Sequence, residues 1–361
     1  MQLRRNVLLA IMIILFIYFE VHSCSEDRPT APDGNGIEAP SIICNASDVH
    51  FIDEQYGWVV GSLGTVMTTQ NSGSTWEGMI VDEHTLNDVQ FVDAAWGWIA
   101  GRDGALFKTD DGGVTWEKVA SSGFPQDEDF YEIHFMNDTF GFVLGYQGVY
   151  KTENAGLDWA NHWLPVIPYR GAWDMCFVNE DVGFLLGSRW TDPNPVLLYR
   201  TGDGGLSWTG VEGSEHSVLR TVLTIEFIDQ NTGWAGGGVI MKTIDGGRNW
   251  ETQRSEATVR EFLFFNDQHG FAVGGKTVLR TKDGGDTWDD VTPDDERVID
   301  LRGVFFHDVH CGWIVGRGNE ELVGSKLYKY TVLLYTDDGG DTWSIKDFPF
   351  DYTSFQATGE Q

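Results

Sequence analysis

Residues 109–116 read Thr-Asp-Asp-Gly-Gly-Val-Thr-Trp, and the same pattern, Thr-x-Asp/Asn-x-Gly-x-x-Trp, occurs seven times in the 361-residue chain. The closing tryptophans are Trp76, Trp116, Trp159, Trp208, Trp250, Trp288 and Trp343, and their successive spacings are 40, 43, 49, 42, 38 and 55 residues. Each copy ends a short apolar run. The chain is therefore an array of similar units with a period of about 45 residues.

The second unit shows how one unit is built. Asp88–Phe91 and Gly97–Gly101 are short β-rich runs, and Ala105–Thr109 and Trp116–Val119 complete four predicted strands. Glycine, asparagine or aspartate bounds each run, as strands and hairpins require. No stretch after the N-terminal segment has a helical apolar period. The sequence predicts an all-β fold, a single seven-bladed β-propeller of four-stranded antiparallel blades.

The other units repeat the aromatic positions of the second. The first-strand and second-strand positions recur as Phe51/Gly57-Trp58, Phe135/Gly141-Phe142, Phe177/Gly183-Phe184, Phe227/Gly233-Trp234, Phe265/Gly270-Phe271 and Phe306/Gly312-Trp313. We expect these rings to pack each blade against its neighbour.

The acidic or amide residue of each repeated turn has a structural explanation. These residues are Asn71, Asp111, Asn154, Asp203, Asp245, Asp283 and Asp338. Such a side chain accepts backbone N–H bonds within its own turn, and the glycines that follow supply positive φ at little cost. We therefore predict neither metal ligands nor catalytic carboxylates at these positions.

The first 23 residues have the pattern of an export signal peptide. Arg4 and Arg5 precede an apolar run at 7–19, and small residues at Val21 and Ser23 suit cleavage. A membrane-spanning helix is the alternative, but the run is shorter than the roughly 20 residues that it needs. Cys24 directly after Val-x-Ser resembles a lipobox, which implies a lipidated cysteine. Ordinary cleavage after Ser23 is the other interpretation.

The predicted organisation follows from this pattern. Residues 1–23 are the signal peptide, 24–40 a Pro- and Gly-rich tether, 41–355 the propeller and 356–361 a tail. We expect an exported protein, either an outer-membrane or cell-surface lipoprotein or a periplasmic or secreted one. The net charge of −31 argues against nucleic acid and anionic lipid as partners, so the membrane is expected as a partner only through the lipid anchor.

Three cysteines remain besides Cys24, an odd number that cannot all pair. Cys176 lies in a predicted inner strand and is expected to be a buried free thiol. Cys44 and Cys311 fall where the ring would close, and a disulfide between them is one possibility.

The repeated pattern resembles two families. The turns at 109–116 and 281–288 resemble the Asp boxes, or BNR repeats, of sialidases. The fuller pattern over 41–350, with Phe-x-Asp, Gly-Trp-x-x-Gly and Lys/Arg-Thr-x-Asp-Gly-Gly-x-Thr-Trp, resembles the photosystem II assembly and stability factor propellers and their non-photosynthetic bacterial relatives. That resemblance implies a non-enzymatic propeller that holds client proteins. The strong acidity departs from the photosynthetic members, so no photosystem client is carried over.

The residues do not support a sialidase. Sialidases need an Arg-Ile-Pro element and an arginine cluster, but no Arg-Ile-Pro occurs and no arginine lies between Arg28 and Arg102. The chain also has no Gly-x-Ser-x-Gly elbow, phosphate loop or zinc spacing. His307-x-x-His310-Cys311 is interpreted as a polar turn rather than a metal site. We predict no catalytic residue, no metal and no cofactor.

Strand direction indicates where a partner would bind. We call the two flat sides of the ring face A and face B, and let the first strand of each blade run from face A to face B. The Asp boxes, which join strands 3 and 4, then lie on face B. The links between strands 2 and 3 and the links between blades lie on face A. The longest excursions, Ser188–Val196 and Arg317–Thr331, then extend face A, and recognition tends to use such loops.

The candidate partner-binding residues form two sets on face A. The first contains the tryptophans without a repeat position and their neighbours: Trp163, Tyr169, Arg170, Trp173, Arg189 and Trp190. Aromatic side chains beside arginine are typical of interface anchors; the alternative is that the rings cap the core between blades. The second set, which shares Arg170 with the first, lies near the inner strands and contains Arg170, Arg220, Arg260 and Arg302. A ring of arginines at the channel mouth would bind carboxylates or an acidic peptide, unless neighbouring Asp and Glu neutralise them.

The functional prediction is an exported protein- or peptide-binding scaffold or assembly factor. The alternative is a carbohydrate-binding protein or a divergent glycoside hydrolase, which would need two suitably placed carboxylates.

Overall fold

The computed structural model describes residues 45–120, 123–125, 127–162, 172–187, 198–213, 222–323 and 326–346. All of them belong to one unit, Ile43–Gln361. In these ranges the only helix is a 3-10 turn at Ser62–Gly64, and no helix has the length and hydrophobicity to span a membrane. The predicted signal peptide, Cys24 and the tether lie outside the described residues.

The described chain forms seven four-stranded sheets. Blades 1 to 4 contain β1 (Ala46–Phe51), β2 (Gly57–Gly61), β3 (Thr65–Thr69), β4 (Glu77–Ile80), β5 (Leu86–Phe91), β6 (Gly97–Gly101), β7 (Leu106–Thr109), β8 (Glu117–Lys118), β9 (Phe130–Phe135), β10 (Gly141–Gly145), β11 (Gly148–Thr152), β12 (Ala160–His162), β13 (Ala172–Phe177), β14 (Gly183–Gly187), β15 (Leu198–Thr201) and β16 (Thr209–Gly210). Blades 5 to 7 contain β17 (Val222–Phe227), β18 (Gly233–Gly237), β19 (Ile240–Thr243), β20 (Glu251–Arg254), β21 (Glu261–Phe264), β22 (Gly270–Gly274), β23 (Thr277–Thr281), β24 (Asp289–Asp290), β25 (Asp300–Phe306), β26 (Gly312–Val323), β27 (Lys326–Thr336) and β28 (Ser344–Lys346).

Each sheet takes its strands in chain order, and all the pairings are antiparallel. This confirms the predicted seven-bladed propeller. The strands predicted for the second unit are also found, although β8 is only two residues long.

Aromatic stacking joins every blade to the next. The last Phe of the first strand lies against the ring that follows the second-strand glycine of the preceding blade. The stacked pairs are Trp58–Phe91, Trp98–Phe135, Phe142–Phe177, Phe184–Phe227, Trp234–Phe264, Phe271–Phe306 and Trp313–Phe51, with ring centroids 3.5–4.2 Å apart. The predicted blade-to-blade packing is confirmed.

One aromatic assignment was wrong. In blade 6 the stacking ring belongs to Phe264, not to Phe265. Phe264 ends β21 and lies six residues before Gly270, the same interval that separates Phe51 from Gly57. Phe265 is the next residue and contacts Phe306 edge-on at 5.6 Å.

The Asp boxes have the expected turn geometry. In blade 6, Asp283 Oδ1 accepts hydrogen bonds from Thr281 Oγ1 and from the Thr287 backbone N–H, while Oδ2 accepts one from Thr287 Oγ1. The glycine after each aspartate has positive φ, 72° at Gly284, a conformation that costs glycine little. The acidic residues of these turns are therefore explained by the turns themselves.

The ring closes without strand exchange, because β1 to β4 and β25 to β28 each form a complete sheet. Phe51 stacks on Trp313, and the Ala46 backbone N–H donates to Thr331 Oγ1 at 3.1 Å. Cys311 is a free thiol in the apolar core of this interface, with Sγ 3.8 Å from Tyr335 Oη. Cys311 therefore does not form the disulfide considered above, and its possible partner Cys44 lies outside the described residues. Cys176 is buried and free, as predicted.

The blade 7 excursion is a hairpin rather than a loop. β26 and β27 continue to pair from Glu320–Lys329 to Val323–Lys326, after a register shift beyond Arg317. β25 pairs with β26 only as far as Arg317. The hairpin formed by β26 and β27 therefore extends beyond the edge of β25. The excursion Ser188–Val196 lies outside the described residues.

Candidate functional site

The described residues include only part of the predicted binding surface. Trp163, Tyr169, Arg170, Arg189, Trp190 and Arg220 lie outside the described ranges. Trp173 is placed by its backbone in β13. Arg260 and Arg302 are fully described, and the structure brings these two together.

Asp300 joins the two arginines at the start of the inner strands of blades 6 and 7. Arg260 Nε donates to Asp300 Oδ1 at 3.1 Å, and Arg302 donates through Nε and Nη2 to Oδ2, each at 3.1 Å. The side chains of Arg260 and Arg302 remain 32% and 29% exposed, whereas Asp300 is 13% exposed. The expected neutralisation by a nearby carboxylate therefore occurs, but one carboxylate serves two guanidinium groups.

The cluster of Arg260, Asp300 and Arg302 keeps one net positive charge. The two Nη groups of Arg260 have no hydrogen-bond partner among the described residues, and Arg302 uses only Nη2 and Nε. The shared carboxylate fixes both side chains, so the remaining N–H groups are preorganised donors. Such donors suit a carboxylate, because charge-assisted bonds to guanidinium are strong and directional.

Carboxylates along the channel were not anticipated from the sequence. In five blades the third residue before the stacking Phe is Asp48, Asp88, Glu132, Asp174 or Glu261. Each accepts a backbone N–H bond from the first strand of the next blade. The pairs are Val89 N to Asp48, Ile133 N to Asp88, Met175 N to Glu132, Ile225 N to Asp174 and Val304 N to Glu261, at 2.6–3.1 Å. The carboxylates therefore satisfy strand edges that would otherwise leave N–H groups unpaired.

Two blades depart from this pattern. Blade 5 has Thr224 at the same position. Blade 7 has Gly303, where an added Cβ would lie 3.0 Å from Asp48 Cα. The glycine permits close approach of blade 1 at ring closure.

Burial among other carboxylates changes the protonation of the channel wall. Burial raises the pKa of Asp48, Glu132 and Glu261 well above the ordinary range, and neighbouring channel carboxylates raise it further. Burial, helped by the charge of Asp174, raises the pKa of Glu226 to about 8. For Asp48 the neighbouring carboxylates are Asp88 and Glu261. The channel therefore carries fewer charges near neutral pH than its carboxyl groups would suggest.

The described part of the molecule offers no placed metal site, since no group of three or more His, Cys, Asp or Glu side chains in it is arranged to hold an ion. The channel carboxylate pairs are explained by strand capping, as the Asp-box residues are explained by their turns. On face A, the described geometry that is available for recognition is the cluster of Arg260, Asp300 and Arg302.

Comparison with solved structures supports the fold. A structure described as YCF48 bound to D1 peptide is 21% identical, with a TM-score of 0.63 over 85% of this chain and 99% of that one. YCF48 from Cyanidioschyzon merolae is 19% identical, with a TM-score of 0.56 over 86% and 97%. The GH74 xyloglucanase from Xanthomonas campestris is 14% identical, with a TM-score of 0.51, and the match covers 83% of this chain and 60% of the enzyme. These likenesses show the fold alone.

No curated protein sequence matches the chain. A family model described as photosynthesis system II assembly factor YCF48 matches residues 37–159 and 253–348. These segments include β1 to β11 with the first three Asp boxes, and all the strands and Asp boxes of the last two blades. They make up more than half of the chain, and the propeller therefore belongs to the photosynthesis system II assembly factor YCF48 family.

Proposed function

We propose that this propeller is a non-enzymatic scaffold or assembly factor that binds a protein or peptide on face A. The observation that carries the proposal is the Arg260–Asp300–Arg302 cluster, which presents fixed guanidinium donors from a chain of net charge −31. A partner with a carboxylate side chain or C-terminus is the ligand that these donors suit.

Family membership supports this proposal. One YCF48 structure has a bound D1 peptide, so a propeller of this type can present a peptide-binding surface. The D1 peptide itself is not proposed as the ligand, because the identity to that protein is only 21%. The remaining predicted residues, Trp163, Tyr169, Arg170, Trp173, Arg189, Trp190 and Arg220, are proposed to extend the same surface.

A crosslinked pull-down from the native cell envelope tests the partner. The key variant is Arg260→Gln, Asp300→Asn, Arg302→Gln. It removes the guanidinium donors, and the Asn replaces the carboxylate that would otherwise lose both of its partners. Lys282→Gln is the matched control, because this exposed lysine lies in the Asp box of blade 6 on the opposite face. We expect one specific protein to be captured by the wild type and the control and lost by the triple variant.

Capture of the same proteins by all three forms would contradict the face-A assignment. A second variant, Arg170→Ala, Trp173→Ala, Trp190→Ala, tests the surface predicted from sequence alone. Unchanged thermal unfolding of each variant is required, so that a lost partner reflects the surface rather than misfolding.

We further propose that the protein is exported and held at the envelope through a lipid on Cys24. The support is the sequence of residues 1–24, with its charged start, apolar run and lipobox-like end. We expect the wild type in the membrane fraction and a Cys24→Ser variant in the soluble fraction. An unmodified Cys24 in the mass spectrum of the wild type would refute the anchor.

A further inference from the structure

Basic side chains at the ends of the third strands form ion pairs, and two of these pairs connect neighbouring blades. The residue before the Asp-box Thr is basic in blades 2 to 6, and the residues are Lys108, Lys151, Arg200, Lys242 and Arg280. Four of the five have a carboxylate partner. The pairs are Lys108–Glu117 at 3.6 Å, Lys151–Glu153 at 2.8 Å, Lys242–Asp286 at 3.4 Å and Arg280–Asp341 at 2.7 Å.

Arg200 is the exception. Its Nη2 donates to the amide oxygen of Gln230 at 3.3 Å, and its guanidinium lies over the Phe184 ring at 5.9 Å. Within the described ranges it has no carboxylate partner, and its buried Nε has no hydrogen-bond partner. Arg280 Nε is also without a partner, but the Arg280 guanidinium has its counter-charge in Asp341. A guanidinium that is partly withdrawn from water without a counter-charge is destabilising.

The sequence of the next Asp box explains the difference. Asp286 and Asp341 occupy the position directly after the Gly-Gly of their Asp boxes, from which each reaches back to the basic residue of the preceding blade. In blade 5 that position is Arg248. The interface between blades 4 and 5 therefore has a second cation where the next two interfaces have an anion.

The two arginines line one cavity. Arg200 and Arg248 are among the walls of a cavity of about 410 Å³ on the Asp-box side of blades 4 and 5, together with Gln230, Asn231 and Thr209. Arg248 Nη1 is fixed by a 3.2 Å bond to the Asp245 carbonyl oxygen.

Carboxylates near this cavity do not neutralise the pair. Asp245 directs its carboxylate to its own turn, where it binds Thr243 and Asn249. Glu212 also lines the cavity, but it is exposed and makes no ion pair with either arginine. The cavity thus combines two guanidinium groups with amide and hydroxyl donors.

We propose that this cavity binds an oxyanion, a carboxylate or phosphate group of a small ligand, between Arg200 and Arg248. The anion would supply the counter-charge that Asp286 and Asp341 supply at the following interfaces. Guanidinium forks match both carboxylate and phosphate oxygens. The site lies on the face opposite the proposed partner surface, so the two proposals stand independently.

Thermal unfolding with added anions at constant ionic strength tests this site. The probes are inorganic phosphate and succinate, with chloride as the baseline, and the variants are Arg200→Gln and Arg248→Asp. Since a ligand that binds only the folded state raises its stability, we expect at least one probe to raise the Tm of the wild type and of Lys282→Gln in a saturable manner. The probe that acts distinguishes phosphate from carboxylate ligands.

Arg248→Asp is the decisive variant, because it restores the acidic position of blades 6 and 7. We expect a higher Tm than the wild type without added anion, and at least a tenfold weaker response to the active probe. An equal response in wild type and Arg248→Asp, or no response of the wild type to either probe, would overturn the proposal. If Arg248→Asp does not fold, Arg200→Gln must show the lost response, and selenate soaked into wild-type crystals must give an anomalous peak between the two arginines.

Discussion

A recurrent close contact at the residue scale is between the stacking phenylalanine and the glycine six residues later in the same blade. A Cβ added to Gly97 would lie 2.5 Å from Phe91 Cε1, and the same closeness recurs at Gly57 and Gly233. The phenylalanine side chain lies across the glycine and also stacks on an aromatic side chain of the preceding blade. It therefore cannot move away from a methyl group added to the glycine. The Gly-Trp and Gly-Phe pairs of the sequence thus encode a steric requirement.

Gly97→Ala is therefore expected to destabilise the propeller by about 1–3 kcal/mol, the usual range for overpacking in a core. Gly202→Ala is the control, since a Cβ there meets no atom within 4 Å, and its effect should stay within about 0.5 kcal/mol. Urea unfolding of the two variants compares them. Equal stabilities would show that the core relaxes around the methyl group.

At the element scale, the Asp box is the part of the fold that sequence predicts best. Its pattern is local, and every bond of Asp283 joins residues within four positions. The blade 6 aromatic was missed for the opposite reason. Phe264 and Phe265 are adjacent, and only the position of Gly270 in the neighbouring strand selects Phe264.

Removing the central side chain of one box tests its contribution. Asp283→Ala leaves Thr281 Oγ1 and the Thr287 backbone N–H without their acceptor, and we expect a loss of about 1–2 kcal/mol. Asp289→Ala, an exposed position in β24, should change the free energy of unfolding by less than about 0.5 kcal/mol. Chemical unfolding monitored by tryptophan fluorescence measures both. A loss no larger than that of Asp289→Ala would mean that water replaces the carboxylate without cost.

The same turns predict an acid limit to stability. Hydrogen bonds from Thr342 lower the pKa of Asp338 to about 2. Because the pKa is lower in the folded state, ionised Asp338 stabilises the fold. This stabilisation is complete above the pKa of the unfolded chain, about 3.9, and is lost as the pH falls through about 2.

Asn71 and Asn154 show that an amide fits the turn. Asp338→Asn should therefore flatten the Tm profile between pH 4 and 2 relative to the wild type. Parallel profiles would contradict the assigned pKa.

At the scale of the whole molecule, the carboxylates along the channel are the feature that sequence could not predict. Asp88 looks like any polar residue of an alternating strand until the packing of neighbouring blades places it beside Asp48 and the strand edge of blade 3. The pairing of Arg260 and Arg302 through Asp300 likewise depends on how blade 6 meets blade 7. The repeat pattern of the sequence indicates contacts within a blade, whereas the channel carboxylates and the arginine cluster depend on contacts between blades.

The channel predicts an alkaline limit to stability. The pKa of Glu226 is raised to about 8, so the folded state holds a proton that the unfolded chain releases near pH 4.3. The resulting stabilisation is complete below that value and is lost as the pH rises through about 8. Glu226→Gln should remove this part of the decline in Tm between pH 5 and 9, whereas the exposed Glu256→Gln should retain it. Identical profiles would place the titrating groups elsewhere.

Closure without strand exchange gives the interface between blades 7 and 1 the same stacked aromatic pair as the other six. The chain termini therefore have no privileged place in the ring, and circular permutation is compatible with the architecture. A permutant that joins Lys346 to Ala46 through a short linker and opens between Arg254 and Glu261 would keep all 28 strands and their pairing. The blade that carries the N-terminus of the propeller can thus be changed while the pairing within every blade stays intact.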